Sequence, residues 1–327
     1  MTIGLESNPS RPLERGASLA NIAQAGVLLA VFGALLALIL RPEFGNAGLL
    51  IALLVVAAIV ALATRLSPAT VMRIYGARPY QAGDLAQFDR ITTELARRAG
   101  LPRAPRIYVV PSMLLSAFSV GTSQRFAIAL TEGLLRRLTM REVAGMLARE
   151  VAHAKRGDLL VLGIADWITR AAQALYYVGL GLAALNILRG IGGGEPVSWL
   201  SVILLILAPA LMGLVQLALS RSREIAADRA AALLTGDPLG LASVVSRLDA
   251  SQGSPLNELL PPVPARKVPL PSMLRFPPPA DQRIPRLNSF QAPPMPPLDV
   301  AEGPRISLVG VGPIEMRPRY RWPGVWF

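Results

Sequence analysis

Four long apolar runs constrain this 327-residue chain more than any other feature of its sequence. Three of them contain no charged residue, and the other carries only Asp166 and Arg170. Each is long enough to cross a bilayer as an α-helix, which satisfies its backbone polar groups internally. A hydrophobic fraction of 52% and a mean hydropathy of +0.45 agree with a membrane protein. We therefore predict an α-helical membrane protein with four transmembrane helices in two hairpins: Ser18–Leu40 with Ala47–Thr64, and Leu159–Leu188 with Val197–Ser220.

Two alternatives to four transmembrane helices are less well supported by the sequence. The first run follows a basic segment, as a signal peptide would, but a second span comes at once and no convincing cleavage site follows Leu40. The runs could also be very hydrophobic core helices, but two antiparallel pairs around a polar segment favour the membrane.

The distribution of charge predicts the orientation of these helices. The net charge of +12 resides in the N-terminal tail, in residues 65–158 and in the chain after Ser220, whereas both short links between apolar runs are neutral. Because basic segments stay in the cytoplasm, both termini and the polar domain are predicted there, in a multi-pass protein of the cytoplasmic (inner) membrane. Nucleic acid is not an expected partner, since no basic motif is interleaved with aromatic residues. The absence of cysteine excludes disulfides and thiolate metal sites.

Between the hairpins, the composition becomes that of a soluble α+β domain. Apolar residues at helical spacing predict a helix over Ala86–Ala99, and runs rich in β-branched residues predict strands at Arg106–Val110 and Phe126–Thr131. The predicted organisation is a cytoplasmic tail (1–17), a transmembrane hairpin (18–64), the first part of the domain (65–158), a second hairpin (159–220), the second part of the domain (221–290), and a Pro/Arg-rich, weakly ordered tail (291–327).

The stretch Met140–Asp158 carries the most informative motif. Thr139 and Glu142 have the spacing of a capping box and predict a helix over residues 140–156. At its centre stand Arg149-Glu150-Val151-Ala152-His153, where a zinc peptidase has His-Glu-x-x-His. His153 is the only histidine in the chain, and a guanidinium has no lone pair to offer a metal. The motif therefore retains the base and one ligand but lacks the first ligand.

A second acidic pair follows the last apolar run. Glu224 and Asp228 are four residues apart in Ser-Arg-Glu-Ile-Ala-Ala-Asp and share one helical face. Taken together, the two motifs, the spans and the stretches RIYVVPSMLLSAFSVG, AIALTEGLLRRL and LRFPPPADQRIPRL resemble membrane-integral zinc metallopeptidases of the HtpX type, relatives of the CAAX prenyl endopeptidases. The resemblance runs in order over most of the chain and implies a zincin-like fold.

The resemblance assigns roles to individual residues. It implies that Glu150 is the general base, that His153 and Glu224 are zinc ligands, and that Asp228 is an acidic residue supporting those ligands. Arg149 stands where the first ligand belongs. Two further positions depart from the family pattern: Ser116 replaces an Asn, and Phe276 replaces a His before Pro-Pro.

These departures predict a peptidase scaffold that is catalytically impaired, and the resemblance implies that it acts in membrane-protein quality control on unfolded or membrane-protein segments. Zinc is implied by the family but is expected to bind weakly. One alternative is an active zinc endopeptidase that cleaves misfolded membrane proteins, with a carboxylate or water replacing the missing ligand. Another is a membrane-anchored binder of anionic lipid or nucleic acid that uses the basic tail. Because Glu224 would otherwise lack a cation, we also predict that Arg149 pairs with Glu224 or Glu150 and bridges two helices.

Overall fold

The computed structural model describes residues 11–80, 86–252, 280–290, 296–298, 300, 320–321 and 325–326. Along the chain, its elements are α1 (Arg11–Arg65), α2 (Pro68–Ile74), β1 (Arg78–Pro79), α3 (Ala86–Ala99), β2 (Arg106–Val110), β3 (Ala117–Thr122), β4 (Arg125–Thr131), α4 (Glu132–Arg137), α5 (Met140–Lys155), α6 (Leu159–Gly192), α7 (Trp199–Thr235), α8 (Pro238–Gln252), α9 (Ala280–Asn288), β5 (Tyr320–Arg321) and β6 (Val325–Trp326).

Three helices of the described chain are long and apolar enough to cross a membrane: Leu19–Arg65, Leu159–Gly192 and Trp199–Arg221. The sequence predicts four, and the difference lies in α1, which unites both N-terminal apolar runs. Within α1, Gly45 leaves the helical conformation with φ 56° and ψ −132°. A Cβ placed on Gly33 would stand 3.3 Å from Cγ2 of Val56. In a straight helix these residues would be about 35 Å apart, so the two halves of α1 lie side by side.

The polar domain is built on a four-stranded sheet in the order β1-β2-β4-β3. Strands β2 and β4 are parallel, with Arg106 opposite Ala127, and β3 pairs antiparallel with β4 along its whole length. One face of the sheet contributes Val109, Ile128 and Leu130 to the core formed with α3 and α5. The alternate residues Tyr108 and Ala127 point to the other face, where α2 packs. This alternation is the period of two expected of a strand buried on both faces.

Helix α5 confirms the local predictions for the motif stretch. Thr139 caps its first turn, and the Glu142 side chain accepts a hydrogen bond from the Thr139 backbone in return, which completes the capping box. The helix ends one residue earlier than predicted because Arg156 is its C-cap, and Gly157 follows with a φ of 73° that favours glycine. The predicted helix Ala86–Ala99 and strand Arg106–Val110 are also confirmed, and the strand predicted at Phe126–Thr131 begins one residue earlier, at Arg125.

Helix α7 continues without interruption from the last apolar run into the polar domain. The sequence prediction divides the chain between residues 220 and 221, and in the structure one helix includes both the apolar span and the residues Glu224 and Asp228. Two described residues of the C-terminal segment contact the polar domain. Leu298 donates its backbone N–H to the Thr235 carbonyl at 3.1 Å, and Leu298 and Val300 pack against the main core. Phe276 lies outside the described residues.

Candidate active site

The candidate site lies between α5 and α7. Arg149, Glu150 and His153 project from α5, and Glu224 and Asp228 project from α7. All five are between 2% and 3% exposed. The spacings of three and four residues place each group on one helical face. The structure therefore brings together every site residue that the two motifs predict, and it encloses them in the domain.

Arg149 forms an ion pair with Glu224 through its Nη2 atom and the carboxylate Oε2. Its Nε lies 3.7 Å from Oδ1 of Asp228. The predicted pairing of Arg149 is confirmed, and Glu224 is the partner. Burial alone would raise the pKa of the Glu224 carboxyl, but the Arg149 guanidinium beside it lowers this pKa to about 2. Burial opposes the charge of Arg149 as well, yet Glu224 and Asp228 raise its pKa above the usual value. Both groups therefore remain charged, and the pair bridges α5 and α7.

His153 is held between two carboxylates. Its Nδ1 lies 2.9 Å from Oδ2 of Asp158, and its Nε2 lies 3.8 Å from Oε1 of Glu224. Burial would raise the pKa of Asp158, but the hydrogen bond with His153 lowers it, so the carboxylate is the acceptor. Burial would lower the pKa of His153, but Asp158 and Glu224 raise it. Asp158 also accepts a hydrogen bond of 3.0 Å from Asn21 of α1.

Glu150 contacts the edge of the sheet. The Ser119 hydroxyl of β3 donates to its Oε2 at 2.7 Å, while Oε1 has no hydrogen-bond partner within the described chain. Burial raises the pKa of the Glu150 carboxyl. A buried carboxyl with a raised pKa is the form in which enzymes use a general base. The general-base role that the motif implies for Glu150 stays a prediction, and the burial of its carboxyl is compatible with that role.

Arg283 of α9 adds a second buried arginine to the site by pairing with Asp228. It donates two hydrogen bonds to Asp228, 2.6 Å from Nε to Oδ2 and 2.7 Å from Nη2 to Oδ1, and it is 4% exposed. This fork geometry matches a carboxylate. Asp228 is therefore held by Arg283 and lies near Arg149, and its role in supporting zinc ligands stays a prediction.

Four residues of this network were not singled out in the sequence: Ser119, Asp158, Arg283 and Asn21. Asp158, Arg283 and Ser119 fall within the stretches that carry the resemblance, and for Asp158 and Arg283 the charge was a further signal. Ser119 and Asn21 gave no signal of their own, because a lone Ser in a short segment and a lone Asn in an apolar run are both common. Ser116, one of the predicted departures, lies just before β3, where its backbone pairs with Thr131.

The donor set does not fit a catalytic zinc. His153 Nε2 and Glu224 Oε1 have nearly the separation of two zinc ligands, which is roughly 3.4 Å for bonds of about 2.1 Å at a tetrahedral angle. The third protein ligand is missing, and its position carries a guanidinium that is bonded to the other oxygen of Glu224. In the part of the chain that the structure describes, no group of three His, Cys, Asp or Glu side chains is arranged to hold a metal.

The domain has a mixed sheet beside a helix with the Glu-x-x-His motif, and an acidic helix that continues from an apolar span completes it. Together these features define a membrane-integral metallopeptidase fold. Comparison with known sequences identifies the peptidase family. The profile of Peptidase family M48 matches residues 81–291, and this chain belongs to that family. A "Protease HtpX homolog" of Methylibium petroleiphilum is 33% identical over 238 residues, which cover 72% of this chain and 82% of that protein. A second, from Burkholderia mallei, is 34% identical over 236 residues, 70% of this chain and 79% of that protein.

Among solved structures, the crystal structure of S. mikatae Ste24p matches with a TM-score of 0.42 and 18% identity, over 83% of this chain and 66% of that one. The M48 family match and the two HtpX homologs confirm the predicted resemblance to HtpX-type peptidases at the level of the family.

Proposed function

We propose that this chain is a catalytically impaired, membrane-anchored member of family M48 that holds segments of unfolded or membrane proteins rather than cleaving them, within membrane-protein quality control. The observation that carries this proposal is the buried ion pair between Arg149 and Glu224. A catalytic zinc takes three protein ligands and keeps one position for water. Here Arg149 stands in the position of the first ligand, and its guanidinium is hydrogen-bonded to Glu224, which stands in the position of another ligand.

The chemistry that remains is too weak for proteolysis. A positioned general base such as Glu150 contributes about 100- to 10,000-fold on its own. Enzymes accelerate their reactions by about a millionfold or more, and most of the electrostatic assistance in a metallopeptidase comes from the metal. The side chains at this site are also almost fully buried, which leaves no access for a scissile bond in this conformation.

Strand β3 supports a polypeptide as the partner. It stands at the edge of the described sheet, pairing with β4 on one side, and Ser119 links it to Glu150. Its second half, Val120 to Thr122, is partly exposed. An edge strand can add an extended peptide through backbone hydrogen bonds, without any chemistry at the old active site.

The same proposal includes four membrane crossings, with both termini and the peptidase-like domain in the cytoplasm. The reversal of α1 at Gly45 and the contact between its two halves support separate crossings by those halves. The basic segments that flank the spans support the orientation.

Zinc content and proteolysis test the proposal together. Purified wild-type protein is expected to carry well under one zinc per chain and to leave casein intact. Arg149→His is expected to raise the zinc content, because it supplies the missing imidazole beside His153 and Glu224. The double variant Arg149→His/Glu150→Gln is the control that retains the ligands without the base. Chelator-sensitive cleavage of casein by the wild type, abolished by Glu150→Gln, would instead establish the active peptidase, the alternative that the retained spacing of His153 and Glu224 favours.

A further inference from the structure

A second site lies where the polar domain meets the first membrane hairpin. A cavity of about 450 Å³ opens there between the start of α2 and the sheet. Its wall includes Arg103, Arg106 and Arg125, and its floor includes Tyr108 and Ala127. Arg106 and Arg125 begin β2 and β4, and because these strands are parallel their starts lie at the same end of the sheet.

The wall of this cavity carries three positive charges. Among the described residues that line it, none is Asp or Glu. Arg103, Arg106 and Arg125 are exposed, and their side chains make no ion pair within the described part of the chain. Three like charges around one cavity repel one another, so an anion bound between them would relieve that repulsion. Guanidinium groups also suit the oxygens of a phosphate.

The floor of the cavity is apolar. Tyr108 is 8% exposed and Ala127 is 2% exposed, and both belong to the small core under α2. A ligand that fits this site therefore combines an anionic group at the rim with an uncharged portion below it. A simple inorganic anion would leave the apolar floor unused.

The cavity also lies close in the chain to the end of a candidate membrane span. Ser67 lines it and is two residues beyond Arg65, where that span ends, so a span ending at Arg65 would place this side of the cavity near the lipid headgroups. Two Cα–Cα steps cover at most about 8 Å, and the headgroup layer is roughly 5–8 Å thick on each side of the hydrocarbon. Helix α2 is tied to the membrane helices on its other end, since Tyr75 donates a hydrogen bond of 2.8 Å to Asp166 of α6. The Arg170 guanidinium stacks over the Tyr75 ring at 4.9 Å.

We propose that this cavity, lined by Arg103, Arg106 and Arg125, binds the headgroup of an anionic phospholipid and thereby seats the peptidase-like domain on the membrane surface. The proposal is independent of whether the site between α5 and α7 cleaves peptides. It also differs from lipid binding by the basic tail, because all three arginines belong to the folded domain.

The test is calorimetric titration of the detergent-solubilised full chain with dihexanoyl phosphatidylglycerol, dihexanoyl phosphatidylcholine and inorganic phosphate in parallel. Phosphatidylglycerol is expected to bind most tightly, with an affinity that falls as salt is added. Each arginine near an anionic lipid surface contributes about fivefold in affinity, so the triple variant Arg103→Gln/Arg106→Gln/Arg125→Gln is expected to lose roughly a hundredfold. The matched control Arg90→Gln/Arg137→Gln/Arg286→Gln removes the same charge from exposed positions that do not line the cavity, and it is expected to bind like the wild type.

Further variants test whether the charge of the arginines is responsible for binding. The triple Arg→Lys variant at the cavity keeps the charge but loses the guanidinium fork, so it is expected to bind less tightly than the wild type and more tightly than the Gln variant. A loss as large as that of the Gln variant would refute attraction by charge. If the triple Gln variant fails to fold, Arg106→Gln alone is expected to lose about fivefold. If the triple Gln variant at the cavity and the control triple variant lost the same affinity for phosphatidylglycerol, the proposal would be overturned. Equal affinity of the wild type for the two phospholipids would also overturn it. Inorganic phosphate that binds as tightly as phosphatidylglycerol would mean a free-anion site, and displacement of the lipid by a single-stranded oligonucleotide would mean a nucleic-acid surface.

Discussion

Arg149 of α5 and Glu224 of α7 form an ion pair in which each side chain is only 3% exposed. The two residues are 75 positions apart, separated by two candidate membrane spans. A metal held by both helices would join them at the same place. In this chain, a charge pair makes the connection instead, and its two members depend on each other because neither has access to water.

The first prediction concerns the stability that this pair provides. Arg149→Ala leaves the Glu224 carboxylate buried without its main cation, and removing one partner of a buried pair costs about 3–5 kcal/mol. We expect a melting temperature lower by several degrees in detergent. The control is Arg97→Ala, which removes an arginine paired with Glu94 but 72% exposed, and which should change stability by less than about 1 kcal/mol.

A double variant distinguishes the pair from general packing. Arg149→Leu/Glu224→Leu removes both charges and is expected to be more stable than Arg149→Ala, because no buried charge is left alone. Melting of Arg149→Ala at the wild-type temperature would show that the arginine is merely tolerated at this position.

The second prediction concerns Asn21, which is 8% exposed and ties α1 to the site. Its amide donates to Asp158 and to the Arg156 carbonyl, both at 3.0 Å. Asn21→Leu makes the apolar run more hydrophobic, yet it leaves two acceptors near His153 without this donor. We expect a loss of about 1–3 kcal/mol, seen as a lower melting temperature of the purified protein. Ala23→Leu, on the exposed face of the same helix, is the control and should be nearly neutral. Unchanged melting of the Asn21 variant would mean that water replaces the amide.

The third prediction concerns how stability depends on pH through the contact between Arg141 of α5 and Asp237, which precedes α8. Asp237 accepts a hydrogen bond of 2.7 Å from Arg141 Nη2 and another of 2.9 Å from the backbone N–H of Gly240. The hydrogen bond from Arg141 lowers the pKa of Asp237 below its usual value. A lowered pKa in the folded state gives stability that is present above the unfolded pKa of about 3.9 and is lost as the pH falls through the folded value.

Asp237→Asn retains a side-chain oxygen for Gly240 but loses the charge, so it isolates this effect. We expect it to lower the melting temperature slightly at neutral pH, by the equivalent of about 0.2–1 kcal/mol. The difference from the wild type should shrink as the pH falls below about 4, because the folded-state pKa lies below the unfolded one. Arg141→Gln should reproduce the result. If the difference in melting temperature between the variant and the wild type grew as the pH fell, the charged form of Asp237 would not be the stabilising one.

The fourth prediction concerns topology. Reporter fusions at Gly45 and Gly193, in the two links between apolar runs, are expected to lie outside the cytoplasm, and a fusion at Gln252 is expected inside. The physical basis is the neutral links beside basic flanking segments. An outside position for Gln252, or an inside position for Gly45, would contradict four crossings with cytoplasmic termini.

Local patterns predicted much of the secondary structure. Helix Ala86–Ala99, strand Arg106–Val110 and the capping box at Thr139 depend on residues close in sequence, and all three agree with the structure. Strand β3 was not predicted, because Ala117–Thr122 is short, includes Gly121 and shows no clear alternation of apolar and polar residues. It becomes a strand through pairing with β4, which is a tertiary contact.

The sequence by itself determined the membrane class, the family resemblance and the arginine that stands in place of the first motif histidine, since apolar run length, motif spacing and residue identity are properties of the residues alone. Only the tertiary structure decided which carboxylate Arg149 meets, how deeply the pair is buried, and that Asn21, Ser119 and Arg283 complete the network. Each of these contacts joins residues 31 to 137 positions apart. Their geometry follows from how α1, α5, α7, α9 and the sheet pack together, and no local sequence pattern encodes that packing.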